Sequence, residues 1–159
     1  MQSLGAIAHY DYRQPASYSY EQAIQVIRRM ALSRKDMDQQ VLRAIFNVVG
    51  RNCDDHVKNI AFIMNRRGEW RLSPAFDISY AWNPSGEWTS QHQMSVNGKR
   101  DRFEHGDLLA LARVADIKKT RAEQMIQRVI KAVRCWPDFA GKAGVNDERV
   151  KKIQDSHRT

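Results

Sequence analysis

The chain has 159 residues, of which 42% are hydrophobic and 28% charged, and a formal net charge of +8 at pH 7. That length suits one domain with a core of its own, and no apolar run approaches the roughly 20 residues that a membrane-spanning helix needs. The excess of lysine and arginine favours anionic partners such as nucleotides, nucleic acid or acidic proteins, while the two cysteines are too few for a disulfide framework and indicate a reduced, cytoplasmic setting.

Two helices are predicted in the first third of the chain, after an irregular lead-in over residues 1–18. Ser19 is a suitable cap for a helix over residues 20–32, where apolar residues recur at helical spacing. Ser33 begins a second helix, which ends at Gly50.

A β-hairpin is predicted over residues 60–72, because two short segments suited to strands flank the turn signal Asn-Arg-Arg-Gly at 65–68. Pro74 ends the second strand and leaves Asp77 just beyond it. Residues 78–98 lack a periodic pattern, and a loop of this length within a compact domain is more often functional than accidental.

The last third of the chain is predicted to be helical. Residues 104–114, 120–135 and 147–156 each have helical periodicity, and Pro137 stops the second of these helices. The expected fold is therefore mainly α, with one small hairpin, in a single domain spanning residues 1–159.

The densest group of reactive side chains is Gly-Arg-Asn-Cys-Asp-Asp-His-Val-Lys-Asn at residues 50–59, here called the polar segment. Asp54 and Asn59 within it have the spacing Asp-x4-Asn. In protein kinases an Asp accepts the proton of the substrate hydroxyl and an Asn five residues later binds magnesium. A further Asp holds the metal that bridges the nucleotide phosphates, and Asp77 follows the predicted hairpin. Carboxylate and amide oxygens are the hard ligands that magnesium prefers.

Each of these residues also has an ordinary structural interpretation. Asp54 or Asp55 is able to cap a turn, and Asp77 after Pro74 has the position of an Asx-turn residue. The ordered combination of helix, Asp-x4-Asn, hairpin and Pro-x-x-Asp is much more specific than any one part of it.

That combination resembles the C-terminal region of the HipA-type serine/threonine kinase toxins. The resemblance rests on Gly-x-x-x-Asp-x-His-x-Lys-Asn at 50–59, Leu-Ser-Pro-Ala-Phe-Asp at 72–77 and Asn-Gly-Lys at 97–99, and it covers roughly residues 20–136. It implies a helical domain like the C-terminal lobe of a kinase, with the hairpin between the catalytic loop and the metal-binding Asp. It also implies ATP and Mg²⁺ as cofactors, an aminoacyl-tRNA synthetase as substrate and a DNA-binding antitoxin as partner.

The same resemblance implies roles for individual residues. Asp54 is the expected catalytic base, and Asn59 and Asp77 are the expected magnesium ligands. His56 lies where many protein kinases have a lysine near the transferred phosphate, and Lys58 is an expected phosphate contact. The resemblance assigns no clear role to the second carboxylate of the segment, which is either a supporting group or a solvated neighbour.

The motifs of the N-terminal lobe of a kinase do not occur in the sequence. The eight glycines are scattered, and no glycine-rich nucleotide loop or Val-Ala-Ile-Lys-like strand is present within the 159 residues. These parts belong to the N-terminal lobe of a kinase, so we expect a C-terminal lobe that is inactive alone. Trp82 and Trp88 are expected to pack in the core or to line a substrate groove.

Three other functions fit parts of the pattern. Small-molecule phosphotransferases share the same Asp-x4-Asn and distant Asp. A non-catalytic basic helical domain that binds DNA or protein would explain the charge. A metal-dependent phosphohydrolase would use Asp54, Asp55 and His56 as ligands, although adjacent residues rarely point at one ion.

Overall fold

The computed structural model describes residues 1–159, and about 47% of them are helical. Ten elements follow one another along the chain: β1 (Gln2–Ser3), α1 (Leu4–Ala8), α2 (Tyr20–Arg29), α3 (Arg34–Val49), β2 (Ala61–Met64), β3 (Trp70–Leu72), α4 (His105–Val114), α5 (Lys119–Arg134), α6 (Trp136–Lys142) and α7 (Asp147–Ser156). The fold is mixed, since a sheet of three strands, one more than the predicted hairpin supplies, accompanies the helices. None of the helices combines the length and apolar character that crossing a bilayer requires.

Local capping explains where α2 and α3 begin. Ser19 accepts a hydrogen bond from the Gln22 backbone N–H, and the Gln22 side chain accepts one from the Ser19 N–H. Ser33 and Asp36 form the same reciprocal arrangement at the start of α3, which satisfies donors that would otherwise have no partner. Both predicted starts are confirmed. The α2 helix ends at Arg29, three residues earlier than predicted.

The expectation that residues 1–18 are irregular was wrong for their first half. Residues 2–3 form β1 and residues 4–8 form α1. Leu4 is fully buried, and its N–H donates to the Ile60 carbonyl at 2.7 Å. Elements this short carry no readable periodicity, so only pairing with the rest of the chain reveals them.

The three strands form one antiparallel sheet in the order β1-β2-β3. Gln2 lies opposite Phe62, and Phe62 lies opposite Leu72. The β2–β3 pair is the hairpin that follows the polar segment in the chain, and β1 covers the outer edge of β2. The start of the chain therefore packs directly beside the polar segment.

The helix predicted over residues 120–135 ends within one residue of its predicted end, before Pro137. The α5 helix ends at Arg134, but α6 begins at Trp136 with the proline in its first turn. A proline is tolerated there because the N–H groups of a first turn have no partner within the helix.

The core is one cluster of 28 buried residues, and α3 runs through it. This helix packs against α2, α4, α5 and β3. Its C-terminal residues Val48 and Val49 are buried, and Gly50 follows as the cap. The polar segment therefore begins at the buried C-terminal end of α3, and its first residue is fixed by that helix.

Candidate functional site

The side chains of the polar segment alternate between the core and the surface. Those that are buried belong to Cys53, Asp55 and Val57. Those that are half-buried or exposed belong to Asp54, His56 and Lys58. Extended backbone sends successive side chains to opposite sides, so the buried residues anchor the segment while three polar groups face outward together.

Asp54 has a free carboxylate in a cleft. Its side chain is 47% exposed, and its carboxylate accepts no hydrogen bond from the chain. The His56 Nε2 lies 3.8 Å from the Asp54 Oδ1. The cleft has a volume of about 350 Å³ and is lined by Tyr12, Arg13, Asp54, His56, Trp88 and Gln93. A carboxylate with unused acceptor capacity in such a cleft is able to receive a hydroxyl group.

Tyr12 links the outward-facing residues into one surface. The Lys58 Nζ lies 3.8 Å from the centre of the Tyr12 ring, and the His56 ring meets that ring edge to face at 5.8 Å. A cation over an aromatic face is attracted by the ring electrons. The sequence pattern had placed Tyr12 in an irregular lead-in without a role, whereas it forms a wall of the cleft beside Asp54.

Asn59 is oriented by the backbone of Asp54. Its Nδ2 donates to the Asp54 carbonyl oxygen at 2.8 Å, and its own N–H donates to the His56 carbonyl at 2.9 Å. With the amide nitrogen committed to that carbonyl, the Oδ1 is the atom that remains available. An amide oxygen fixed in this way is a suitable ligand for magnesium.

Asp77 lies on the surface in an uncommon backbone conformation. Its φ is 52°, in the left-handed region, which Asp tolerates better than most residues. Its side chain is exposed and has no hydrogen bond or ion pair within the chain, whereas its carbonyl accepts from Asn52 Nδ2 at 3.3 Å. No direct contact joins the Asp77 carboxylate to Asp54 or Asn59. The backbone around Asp77, rather than its side chain, is tied to the polar segment.

Asp55 is a structural anchor. Its side chain is fully buried and accepts three hydrogen bonds or equivalent contacts. The Tyr20 hydroxyl donates to Oδ2 at 2.7 Å, the His92 Nδ1 lies 2.8 Å from the same oxygen, and the Gln93 N–H donates to Oδ1 at 2.8 Å. A buried carboxylate needs this many partners to offset its lost hydration. Asp55 therefore pins the middle of the polar segment to α2 and to the segment around His92.

A chain of buried hydrogen bonds extends from Asp55 to Asp77. Asn47 Nδ2 donates to the Tyr20 hydroxyl at 2.8 Å, and Asn52 Nδ2 donates to Asn47 Oδ1 at 3.1 Å and to the Asp77 carbonyl. Burial, followed by the charge of Asp55, raises the pKa of Tyr20 well above its usual value, so this hydroxyl stays protonated as a donor. The two ends of the candidate site are therefore connected through one buried network.

Backbone pairing adds a second connection between these ends. The Cys53 N–H donates to the Ala81 carbonyl at 3.2 Å, and the Ala81 N–H donates to the Arg51 carbonyl at 3.1 Å. Arg51 has a φ of 58°, and its guanidinium lies 4.5 Å from the ring centre of Trp82. The chain just after Asp77 is thus hydrogen-bonded to the polar segment, and Trp82 packs on that segment rather than lining the cleft.

Cys53 has no reactive character in this position. It is fully buried, and burial, followed by the charge of Asp55, raises the pKa of its thiol to about 12. A thiol that keeps its proton is a poor nucleophile and a poor metal ligand. Its contribution is packing beneath Asp54.

The Asn-Gly-Lys motif at 97–99 has a clear structural role. Asn97 and Gly98 both have positive φ, and Val96 and Lys99 exchange two backbone hydrogen bonds of 2.9 Å, as in the tight turns that favour Asn-Gly. Asn97 Nδ2 and Lys99 Nζ then bind the two carboxylate oxygens of Asp107 at 2.8 and 2.9 Å. This turn fastens the long loop to α4.

The geometry contradicts the phosphohydrolase alternative. Asp55 points into the core, away from Asp54 and His56, and no group of three or more His, Cys, Asp or Glu side chains is arranged to hold a metal ion. The magnesium hypothesis does not need such a group, because it uses one amide oxygen and one carboxylate. Both Asn59 and Asp77 retain a free oxygen donor of the type that magnesium binds.

Sequence reasoning missed most of the supporting residues of the site. Those are Tyr12, Tyr20, Asn47, Asn52 and His92. Cys53 and Val57 are apolar and lie two residues either side of Asp55, which is a local signal that Asp55 faces the core. Nothing local could identify the others, since they lie on separate elements that meet only in the folded chain.

One family model matches most of the chain. It is described as the HipA-like C-terminal domain and matches residues 1–136, which include the polar segment, the hairpin and Asp77. The match also includes β1 and α1, upstream of the region where motifs were recognised. No curated protein matches the chain.

Proposed function

Because the chain belongs to the HipA-like C-terminal domain family, we propose that it is the catalytic lobe of a magnesium-dependent protein serine/threonine kinase. HipA proteins are generally kinases from toxin–antitoxin systems. The observation that carries the proposal for this chain is the Asp54 carboxylate, which lies in a cleft, accepts no hydrogen bond and is flanked by His56. The proposed reaction is transfer of the γ-phosphoryl group of ATP to a serine or threonine hydroxyl.

Asp54 acts as the base in this proposal. The acceptor hydroxyl donates a hydrogen bond to the free carboxylate and gives its proton to it as the new oxygen–phosphorus bond forms, while the bond between the γ-phosphorus and the β–γ bridging oxygen breaks and ADP leaves. Positioning is the main contribution, since phosphoryl transfer asks little covalent chemistry of the protein. The buried contacts of Asp55 and the Asn59 bond to the Asp54 carbonyl support this orientation from two sides.

Asn59 Oδ1 and the Asp77 carboxylate would hold the magnesium ion. Magnesium bound there would supply positive charge against the phosphate oxygens of ATP. The backbone of Asp77 is in the left-handed region, and its carbonyl accepts a hydrogen bond from Asn52. These features fix the main chain of Asp77 and leave its carboxylate free.

His56 and Lys58 would contact the phosphates, and the aromatic cleft would receive the acceptor. His56 lies 3.8 Å from Asp54, and Lys58 is exposed above the Tyr12 ring. Trp88 is 48% exposed and lines the cleft together with Arg13. A large exposed aromatic beside a free carboxylate fits a polypeptide segment around the hydroxyl better than it fits a small polar acceptor.

The remaining partners are proposed from the family. The substrate is an aminoacyl-tRNA synthetase, the regulator is a DNA-binding antitoxin, and both act in the cytoplasm. A separate N-terminal lobe with a glycine-rich loop would supply the other wall of the nucleotide cleft, since the 159 residues contain no such loop.

The proposal is tested with the chain joined to the N-terminal kinase lobe that it is proposed to need, here called the full-length protein. The protein is incubated with radiolabelled ATP, Mg²⁺ and a bacterial protein extract, and transfer to protein is compared with transfer to small hydroxyl compounds. Asp54→Asn is expected to reduce transfer by at least about 10²-fold. Asp138→Asn, which changes an exposed carboxylate without partners on α6, is the matched control and should leave transfer unchanged.

Two results would reject the proposal. Undiminished labelling by the Asp54→Asn protein would remove the carboxylate from the mechanism. Labelling confined to small hydroxyl compounds would instead favour the small-molecule phosphotransferase.

A further inference from the structure

Arg158, just after α7, is a mostly buried cation. Its side chain is only 16% exposed, and its N–H donates to the Val49 carbonyl at 2.9 Å. Its Nη1 donates to the Val48 carbonyl at 2.7 Å, its Nη2 pairs with Asp101, and its guanidinium lies 5.2 Å from the ring centre of Phe103. The residue is therefore seated against the last turn of α3, directly beneath the polar segment.

The same Nη1 lies 3.1 Å from the Nε2 of His92. A guanidinium has only donors, so this contact is a hydrogen bond only if His92 Nε2 has no proton and accepts. The neutral ring then carries its proton on Nδ1, which lies 2.8 Å from the Asp55 carboxylate. Both contacts therefore favour the tautomer of His92 with its proton on Nδ1. Arg158 and Asp55 lie on opposite sides of this fully buried ring.

A second arginine makes the converse connection. Arg51, in the polar segment, donates from Nε to the Ser156 carbonyl at 2.9 Å and pairs with Asp101 at 3.4 Å. Asp101 therefore lies between the two guanidinium groups, and Arg51 joins the polar segment to the end of α7. Burial and the nearby Arg51 lower the pKa of Arg158, which is consistent with a cation held at a cost in hydration.

We propose that Arg158 is a positioning residue for the polar segment: through His92 it holds Asp55, and Asp55 holds the backbone that presents Asp54. The part of this inference that concerns catalysis rests on the proposed function, whereas the part that concerns His92 and Asp55 stands on geometry alone. Arg158 lies outside residues 1–136 that the family model matches, so the contact is not implied by membership of the family.

The first test requires no variant. The imidazole nitrogens of His92 are observed by ¹⁵N NMR in the 159-residue chain near neutral pH. The expected spectrum has a proton on Nδ1 and a bare Nε2. A proton on Nε2, alone or together with one on Nδ1, would overturn the inference, because Arg158 would then face another donor.

The second test compares Arg158→Met with Arg149→Met. Arg149 has an exposed side chain on α7 without a hydrogen bond or ion pair of its own, so it controls for loss of one arginine near the same end. Arg158→Met is expected to speed hydrogen exchange of the Gln93 amide, which donates to Asp55, about tenfold, as loss of one hydrogen bond to a charged group would. Equal exchange in the two variants would overturn the inference.

A conservative variant separates positioning from general packing. The lysine of Arg158→Lys, like arginine, donates hydrogen bonds and accepts none. This variant is therefore expected to retain the Nδ1 proton on His92 and, compared with Arg158→Met, to restore at least part of the protection of the Gln93 amide. In the full-length protein, Arg158→Met should lower kcat for phosphotransfer while leaving KM for ATP unchanged. If the wild-type protein transfers no phosphate but the His92 and exchange results hold, the proposed function fails and the positioning contact stands.

Discussion

The carboxylates of Asp54 and Asp55 face opposite sides of the polar segment, although the two residues are adjacent. The Asp54 side chain is 47% exposed and accepts no hydrogen bond, whereas the Asp55 side chain is fully buried against Tyr20, His92 and the Gln93 amide. The Asp54 carboxylate therefore has unused acceptor capacity, whereas the Asp55 carboxylate is contacted by three donors. The two neighbouring residues should therefore contribute differently to the free energy of unfolding, and this difference can be measured.

Asp55→Asn should destabilise the chain much more than Asp54→Asn. Either orientation of the amide turns its NH₂ group toward at least one of the three donors that Asp55 accepts from, which costs about 2–4 kcal/mol of unfolding free energy. Asp54→Asn should stay within about 0.5 kcal/mol of wild type, because its half-exposed carboxylate accepts no hydrogen bond from the chain. Urea unfolding of the 159-residue chain measures both, and similar losses for the two variants would contradict the opposite orientations.

Asn59→Ala and Asp77→Ala should each raise the Mg²⁺ concentration needed for phosphotransfer by the full-length protein. We expect a shift of at least about tenfold, which is the effect of removing even an outer partner of a metal site. Higher Mg²⁺ should partly restore the activity. The exposed Asp138→Ala is the control, and Mg²⁺ curves that coincide with that control would mean that neither residue holds the ion.

Trp88→Ala should weaken binding of the protein substrate while sparing ATP. Trp88 is 48% exposed and lines the cleft beside Asp54, so removal of its ring forfeits contact area in the complex and little in the free protein. KM for the protein acceptor should rise about tenfold. Phe139→Ala, which removes an aromatic ring that is 66% exposed on α6, is the control. An unchanged KM in Trp88→Ala would remove the cleft from substrate recognition.

Asp107→Asn should cost stability at neutral pH and little in acid. Burial alone would raise the pKa of Asp107, but the bonds from Asn97, the Glu104 N–H and Lys99 outweigh it and hold that pKa below its usual value. A carboxyl group with a lowered pKa stabilises the fold above its unfolded pKa of about 3.9, and the contribution is lost as the pH falls through the folded pKa.

The measurement for Asp107 is the unfolding free energy of wild type and variant at several pH values. The difference between them should be largest near pH 7 and should shrink below about pH 4. A difference that does not change with pH would show that the variant acts through packing rather than through the charge.

Local sequence was sufficient for the elements that are determined by neighbouring residues. Ser19 and Ser33 start α2 and α3 through bonds that span three residues, and Gly50 follows the last turn of α3. The turn signal at 65–68 lies between β2 and β3. The resemblance to HipA-type proteins, drawn from motifs of a few residues, is confirmed by the family match over residues 1–136.

Sequence was insufficient where an element is short or a partner is distant. The β1 strand has two residues, and its place is decided by hydrogen bonds to β2 some 60 positions later. The irregular loop over 78–98 contains both Trp82 and Trp88, and only the packing shows that the first stacks on Arg51 while the second lines the cleft.

The sequence by itself determined which reactive groups this protein carries and in what order, because spacing within a helix cap, a hairpin or the Asp-x4-Asn motif is a local property of the chain. The tertiary structure decided which of those groups is free. Asp54 and Asp55 are indistinguishable as residue types, and their difference arises from Tyr20 and His92, which lie 35 and 37 positions from Asp55. Arg158 reaches His92 across 66 positions. Contacts over such separations depend on how the helices pack around α3, and no pattern of nearby residues encodes them.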